Sequence, residues 1–260
     1  MDVLSLIQKV EKRGTTEVSQ RILQTYTAIF RYAIVTEKAT YNPATELKGA
    51  LVAHKGTHYP TISSEELKGF LKSLDEVQTS LQNVLAIKLL MLTFVRTGEM
   101  RHSKWENIDF KNKRWIIPAS LTKMNREHIV PLSKQTIKVL KQLKINTTHC
   151  PHGYILPSQN RQKNPMMSEN TVNNIIKKMG YGGKIVGHAF RALASTTLNE
   201  QGYRADVIER QLAHKESNSI RAAYNRAEYL TERTSMMQDW ADYIDTCKKT
   251  AQVVKIKNAV

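Results

Sequence analysis

The sequence predicts a mostly α-helical protein carrying one small three-stranded antiparallel sheet, an α+β arrangement in which helices dominate. Three observations predict it. Apolar residues recur at helical spacing near the start of the chain and again after Ser168. Ser63-Ser64-Glu65-Glu66 forms a capping box, in which a serine oxygen takes a backbone N–H and the later glutamate reaches back. Between Ile108 and Leu132 the period changes to short β-type runs.

In chain order, Val3, Leu6, Ile7 and Val10 share one helical side, and Gly14 ends that helix. Thr15 or Thr16 can cap a second helix running to about Glu37, with Val18, Ile22, Ile29 and Ala33 facing inward. Asn42-Pro43 breaks the pattern, since the residue before proline avoids helical dihedrals. A short helical piece is expected from Thr45 to Leu51. The polar stretch 53–60 (AHKGTHYP from Ala53) is the expected linker, separating a first domain, 1–52, from a second, 61–260. Beyond the capped helix at Ser63, the run from Val84 to Phe94 is apolar enough to belong at the centre of the larger domain.

Ile108 to Phe110, Trp115 to Pro118 and His128 to Leu132 are the three expected strands, joined through Lys111-Asn112-Lys113 and through Leu121 to Arg126. From Ser168, a good cap, helix is expected almost to the end, with breaks at Gly180 to Gly187, Gly202 and Lys215 to Ser219. Met236, Met237, Trp240, Tyr243 and Ile244 fall on one side of the last segment. Packing on their own domain and docking on a neighbouring subunit both fit that stripe. Lys248 to Lys257 carries four lysines and no acid, suited to solvent or to phosphates.

With 260 residues, 41% hydrophobic and 24% charged, the chain is long enough for a buried core and is not of disordered composition. Lys+Arg number 39 against 23 Asp+Glu, a net charge of +16. Such an excess works against the compact state, so it points to a polyanionic partner, nucleic acid before membrane, because the basic residues are spread along the chain. Two cysteines, Cys150 and Cys247, cannot make a disulfide framework and suggest a reducing compartment. The stretch from Val84 to Val95 includes Lys88 and is too short to span a bilayer. A cytoplasmic, nucleoid-associated protein is expected.

Metal chemistry finds little support. His149, Cys150 and His152 have no second pair at zinc-finger spacing, and the carboxylates do not cluster as a two-metal nuclease requires. There is no phosphate-binding glycine loop. No cofactor is expected, and phosphoryl chemistry would have to run on side chains alone. Such side chains occur in order: Arg96 and Glu99 after the apolar helix, Lys123 between two strands, His188 with Arg191, His214, and Tyr224 within Arg221 to Arg226. Each piece alone is more often ordinary structure than catalyst.

Their order and spacing resembles the tyrosine recombinase, or phage integrase, family. The resemblance covers about Thr61 to Asp245, the family's catalytic domain. The runs FVRTGEMRHSKW, HAFRALASTTLNEQG and ERQLAHKESNSIRAAYNRAEYL are similar to the branch encoded by integrative prophages and genomic islands. The resemblance implies that Tyr224 attacks a DNA phosphodiester, forming a 3′-phosphotyrosyl link and releasing a 5′-hydroxyl without ATP or metal. Arg96 and Arg191 would clamp the phosphate, and Lys123 would protonate the leaving oxygen. His188 would accept a proton near the tyrosine, His214 would donate to a nonbridging oxygen, and Glu99 would orient a neighbouring arginine or histidine. Tyr229 and Tyr203 are the competing nucleophiles, Arg101 competes with Arg96, and Lys113 and Arg126 stand behind Lys123.

The resemblance further implies double-stranded attachment-site DNA as partner, self-association into a synaptic tetramer, and host or element-encoded DNA-bending factors. Residues 1–52 resemble only the last part of the family's helical core-binding clamp, so weakened, salt-sensitive DNA affinity is expected. A truncated remnant that binds DNA without cleaving it is the alternative function.

Overall fold

The apolar run near Val84 is the axis of the fold. It forms helix α4, Leu81–Thr93, which starts at Ser80, whose hydroxyl accepts from the Asn83 N–H at 3.4 Å. Leu85, Ala86, Ile87 and the continuous run Leu89–Thr93 are buried, so the helix is covered on every side. The computed structural model describes residues 3–47, 49, 51, 61–147, 150–158, 164–214 and 228–257. The chain divides into two compact units, Met1–His58 and Tyr59–Val260.

In the larger unit, α3 (Ser64–Glu76) begins with the expected capping box: the Glu66 N–H donates to Ser63 Oγ at 3.2 Å, and the Ser63 N–H donates to Glu66 Oε2 at 2.9 Å. A short helix, α5 (Thr97–His102), follows α4 directly. The sheet comes next, in the order β1 (Ile108–Asp109), β2 (Arg114–Ile117) and β3 (His128–Pro131), all antiparallel. Its register sets Ile108 opposite Trp115, Trp115 opposite Val130 and Ile117 opposite His128, which turns these side chains onto the core. The three strands thus form where β-type runs were expected, β1 and β3 one residue shorter at the end and β2 shifted one residue earlier.

Helix α6 (Lys134–Thr147) was not anticipated, although Val139, Leu140 and Leu143 carry a helical stripe and are buried. Helix α7 (Thr171–Ile176) starts three residues after the expected cap; Ser168 contributes its carbonyl, not its hydroxyl, to the Thr171 N–H. A π-type turn, Lys177–Tyr181, then reverses the chain at Gly180, whose φ of +83 suits glycine. Helices α8 (Ala189–Glu200) and α9 (Ala205–Gln211) are separated at Gly202. The expected break at Lys215 lies outside the described residues, as does the linker.

The last helix, α10 (Leu230–Lys257), packs against α3, α4, α6, α9 and β3 of its own chain. Met236, Met237 and Trp240 are fully buried, and the Trp240 indole donates to the Met91 carbonyl at 2.9 Å. Asp75 joins α3 to both Lys88 (2.9 Å) and Lys248 (2.7 Å). The apolar stripe of the last segment is therefore used within one chain.

In the first unit, α1 (Val3–Glu11) packs on α2 (Thr16–Val35) through Ile7, Leu23, Ile22, Tyr26 and Phe30. The expected inward set is corrected here: Val18 and Ile29 are exposed. Leu23 is buried instead, with Ile22, Tyr26 and Phe30 partly buried against it. Asn42 ends this part, its amide donating to the Thr27 carbonyl at 3.1 Å. The described residues from Pro43 to Leu47 form turns where a helical piece was expected.

Candidate active site

The site is assembled at three helix boundaries. At the end of α4 the chain turns at Phe94, a left-handed residue (φ 39, ψ 33), and Arg96 precedes α5. Glu99, one turn into α5, accepts from the Arg96 N–H at 3.0 Å and from its Nη1 at 2.7 Å. Glu99 is 2% exposed, so the pair is shielded from solvent and fixes the guanidinium.

At the start of α8, Gly187 packs so closely that a Cβ would fall 2.9 Å from Val172 Cγ1, and its N–H donates to Asn173 Oδ1 at 2.9 Å. That contact anchors His188 at the head of the helix. Arg191, one turn on, is buried; its Nη1 donates to the Phe94 carbonyl at 2.8 Å and its Nη2 to the Leu212 carbonyl at 2.6 Å. Beyond α9, Ala213 adopts a left-handed φ of 48, and its carbonyl accepts from Arg96 Nη2 at 3.2 Å. His214 follows. Its Nε2 lies 3.2 Å from Arg191 Nη2 and its Nδ1 lies 2.7 Å from Glu209 Oε2.

Those two contacts define a tautomer. Arginine only donates, so His214 Nε2 accepts and Nδ1–H donates to Glu209. Glu209 was not singled out from the sequence, where a glutamate in an amphipathic helix carries no signal of its own.

The two arginines and two histidines lie close enough to act on one another electrostatically. Burial, followed by the nearby Arg96, pulls Arg191 down to about 10, which leaves it charged at neutral pH. His188 is held below the ordinary imidazole range, first by desolvation and then by Arg191, Arg96 and His214. It stands at the rim of a 350 Å³ cleft lined by Gly98, Arg101, Glu169 and Asn173. Arg101 is occupied otherwise: its Nε donates to the Met167 carbonyl at 2.7 Å, strapping α5 to the chain before α7. Arg96, not Arg101, joins Arg191.

Lys123 is exposed on the β2–β3 connection, where Thr122 Oγ1 accepts from the Arg126 N–H at 3.1 Å and shapes the turn. Lys113 sits in the β1–β2 turn with φ 53. Tyr224 lies outside the described residues. Of its competitors, Tyr203 donates to Asp239 and is pushed up to about 12, by burial and then by that carboxylate. Such a phenol is a poor nucleophile. Tyr229 stacks under Arg204, 5.3 Å from ring centre to guanidinium carbon. Among the described residues no group of three or more His, Cys, Asp or Glu is placed to hold a metal ion, and no helix is long and apolar enough to cross a membrane.

The sequence itself places this fold in a class, the phage integrases. The phage integrase family matches residues 60–230, and the phage integrase central domain matches residues 1–50. The chain belongs to this family. It is 40% identical to the integrase of Enterobacteria phage P4 over 259 residues, covering 94% of this chain and 58% of that protein. It is 38% identical to the prophage integrase IntS of Escherichia coli K12 over 245 residues, covering 94% and 63% respectively. The chain thus spans about three fifths of the length of these relatives. A solved lambda integrase dimer bound to a COC′ core site shares the fold, with TM-score 0.64 at 19% identity over 82% of this chain and 78% of that one.

Proposed function

We propose that this protein is a site-specific DNA recombinase of a mobile element, cutting and rejoining strands through a tyrosine. The observation that carries the reading is the convergence of Arg96, Arg191, His188 and His214, drawn from positions up to 118 residues apart (96 to 214), into one positive site. A pentacoordinate phosphate spreads charge over its nonbridging oxygens, and two prefixed guanidinium forks suit that charge without a metal ion. In this reading the Tyr224 oxygen bonds to phosphorus while the bond to the 5′-oxygen breaks. The tyrosine proton passes to His188, which burial and then its cationic neighbours hold below the ordinary imidazole range, and Lys123 protonates the leaving oxygen. The covalent link stores the bond energy, so rejoining is the reverse step. Double-stranded attachment-site DNA, a tetrameric synapse and DNA-bending helper proteins are the partners this activity entails.

Covalent capture on nicked DNA tests it. DNA flanking the protein's own gene would be nicked beside the scissile position, so that rejoining is impossible, and incubated with protein and EDTA. An adduct on a denaturing gel from wild type but not from Tyr224→Phe is the expected result. An adduct from both would move the nucleophile to Tyr229 or Tyr203. DNA binding without any adduct would leave a DNA-binding remnant.

A further inference from the structure

Glu228 is four residues past Tyr224 and collects three arginines on one carboxylate. Arg210 of α9 donates from Nε at 3.1 Å and again from Nη2. Arg126, three residues past Lys123 on the β2–β3 connection, donates from Nη2 at 3.2 Å. Arg233 of α10 stands 3.6 Å away and also donates to the Glu228 carbonyl at 3.2 Å. Arg233 is fully buried, where it holds the Gln211 side chain (3.0 and 2.7 Å) and the Ile129 carbonyl.

Arg210 and Arg233 already oppose the carboxylate with more than its own charge. The third arginine, half exposed, therefore adds nothing to neutralisation. What it adds is a tie between an exposed loop and a point in the chain close to Tyr224. The described hydrogen bonds thus run from the Lys123 loop through Glu228 to α9, after whose end His214 lies, and to Arg233 of α10.

We propose that the Arg126–Glu228 pair is a positioning device for the leaving-group step, holding the Lys123 loop to α9 and the start of α10. The inference rests on Tyr224 as nucleophile and Lys123 as general acid. In that step the tyrosine oxygen–phosphorus bond forms, the phosphorus–5′-oxygen bond breaks, and the 5′-oxygen takes the Lys123 proton. If the loop is misplaced, protonation suffers and attack does not.

A 5′-bridging sulfur separates these effects, because a thiolate leaves without being protonated. Cleavage rates would be measured on nicked DNA with oxygen or sulfur at that position. Lys123→Ala should slow the oxygen substrate about 100-fold or more and the sulfur substrate little. Arg126→Ala and Glu228→Gln should slow the oxygen substrate by roughly fivefold, the scale of a partly exposed ion pair, and recover on sulfur. Arg126→Lys, which keeps the ion pair, should stay near wild type. Equal losses on both substrates, or none, with Lys123→Ala still rescued, would overturn the positioning role. Rescue of Arg126→Ala but not of Glu228→Gln would make Arg126 the acid itself and also overturn it. If sulfur fails to rescue Lys123→Ala, the general-acid reading falls and takes this inference with it.

Discussion

His128 should make the protein acid-sensitive, and the size of the effect follows from its surroundings. The β2–β3 register turns this residue inward opposite Ile117, where it is 2% exposed. Its Nε2 accepts from Arg233 Nη2 at 3.4 Å, and its Nδ1 has no hydrogen-bond partner among the described residues. Burial first, and then the positive charges of Arg233, Arg210, Arg191 and Arg96, lower its pKa to about 3. Unfolded, the ring titrates near its ordinary value of about 6.5. The unfolded chain therefore takes up a proton first, and stability falls as pH drops from about 6.5 towards 3. Between pH 7 and pH 5 this one residue removes about 2 kcal/mol of folding free energy. Urea unfolding of wild type and His128→Gln at both pH values measures it. Glutamine stays neutral and can still accept from Arg233, so the variant should lose about 2 kcal/mol less than wild type over this interval. Parallel losses would refute the claim that His128 is buried and neutral.

Three other outcomes follow from the same contacts. Arg191→Lys replaces a fork that holds three partners with a point donor, so single-turnover cleavage should fall by about 100-fold or more while the protein stays folded by circular dichroism. Tyr203→Phe removes a hydroxyl engaged by Asp239, so adduct formation should be unchanged and the melting temperature should shift by only a few degrees. Trp240→Ala should cost about 3–5 kcal/mol in urea unfolding, with the same midpoint at low and high protein concentration, because the ring packs on its own chain. A concentration-dependent midpoint would instead place that helix on a neighbour.

Where the sequence was legible, the reason was local. The capping box at Ser63, the apolar α4 and the three β-type runs each announce themselves within a dozen residues, and each forms as expected. Arg96, Glu99, His188, Arg191 and His214 were legible through a family-like order rather than through any local chemistry. The structure then brings them together through carbonyls that no sequence pattern displays. Helix α6 was missed although its signals are local, the helical spacing of Val139, Leu140 and Leu143 and the Ser133 hydroxyl that accepts from the Thr136 N–H at 3.2 Å. Arg233 offered one signal: it shares a helical side with Met236, Met237, Trp240 and Ile244. An arginine on an apolar stripe must be paired or absent, and its partners, Gln211 and Glu228, lie in other elements.

The choice of partners for the two central arginines explains the odd backbone around them. Phe94 and Ala213 both hold left-handed dihedrals without being glycine, a strain of about 1–2 kcal/mol each. Both close a helix, and the carbonyls of Phe94, Leu212 and Ala213 all accept from a guanidinium. Carboxylates could have oriented the forks as well, but each would have cancelled a charge. Backbone carbonyls orient without cancelling. Among the described residues, buried Glu99 offsets Arg96 and the exposed Glu209 also acts on Arg191, while the carbonyls that fix Arg191 take none of its charge. The strain in two chain reversals is thus the structural consequence of fixing Arg191, and one end of Arg96, through carbonyls rather than through further carboxylates.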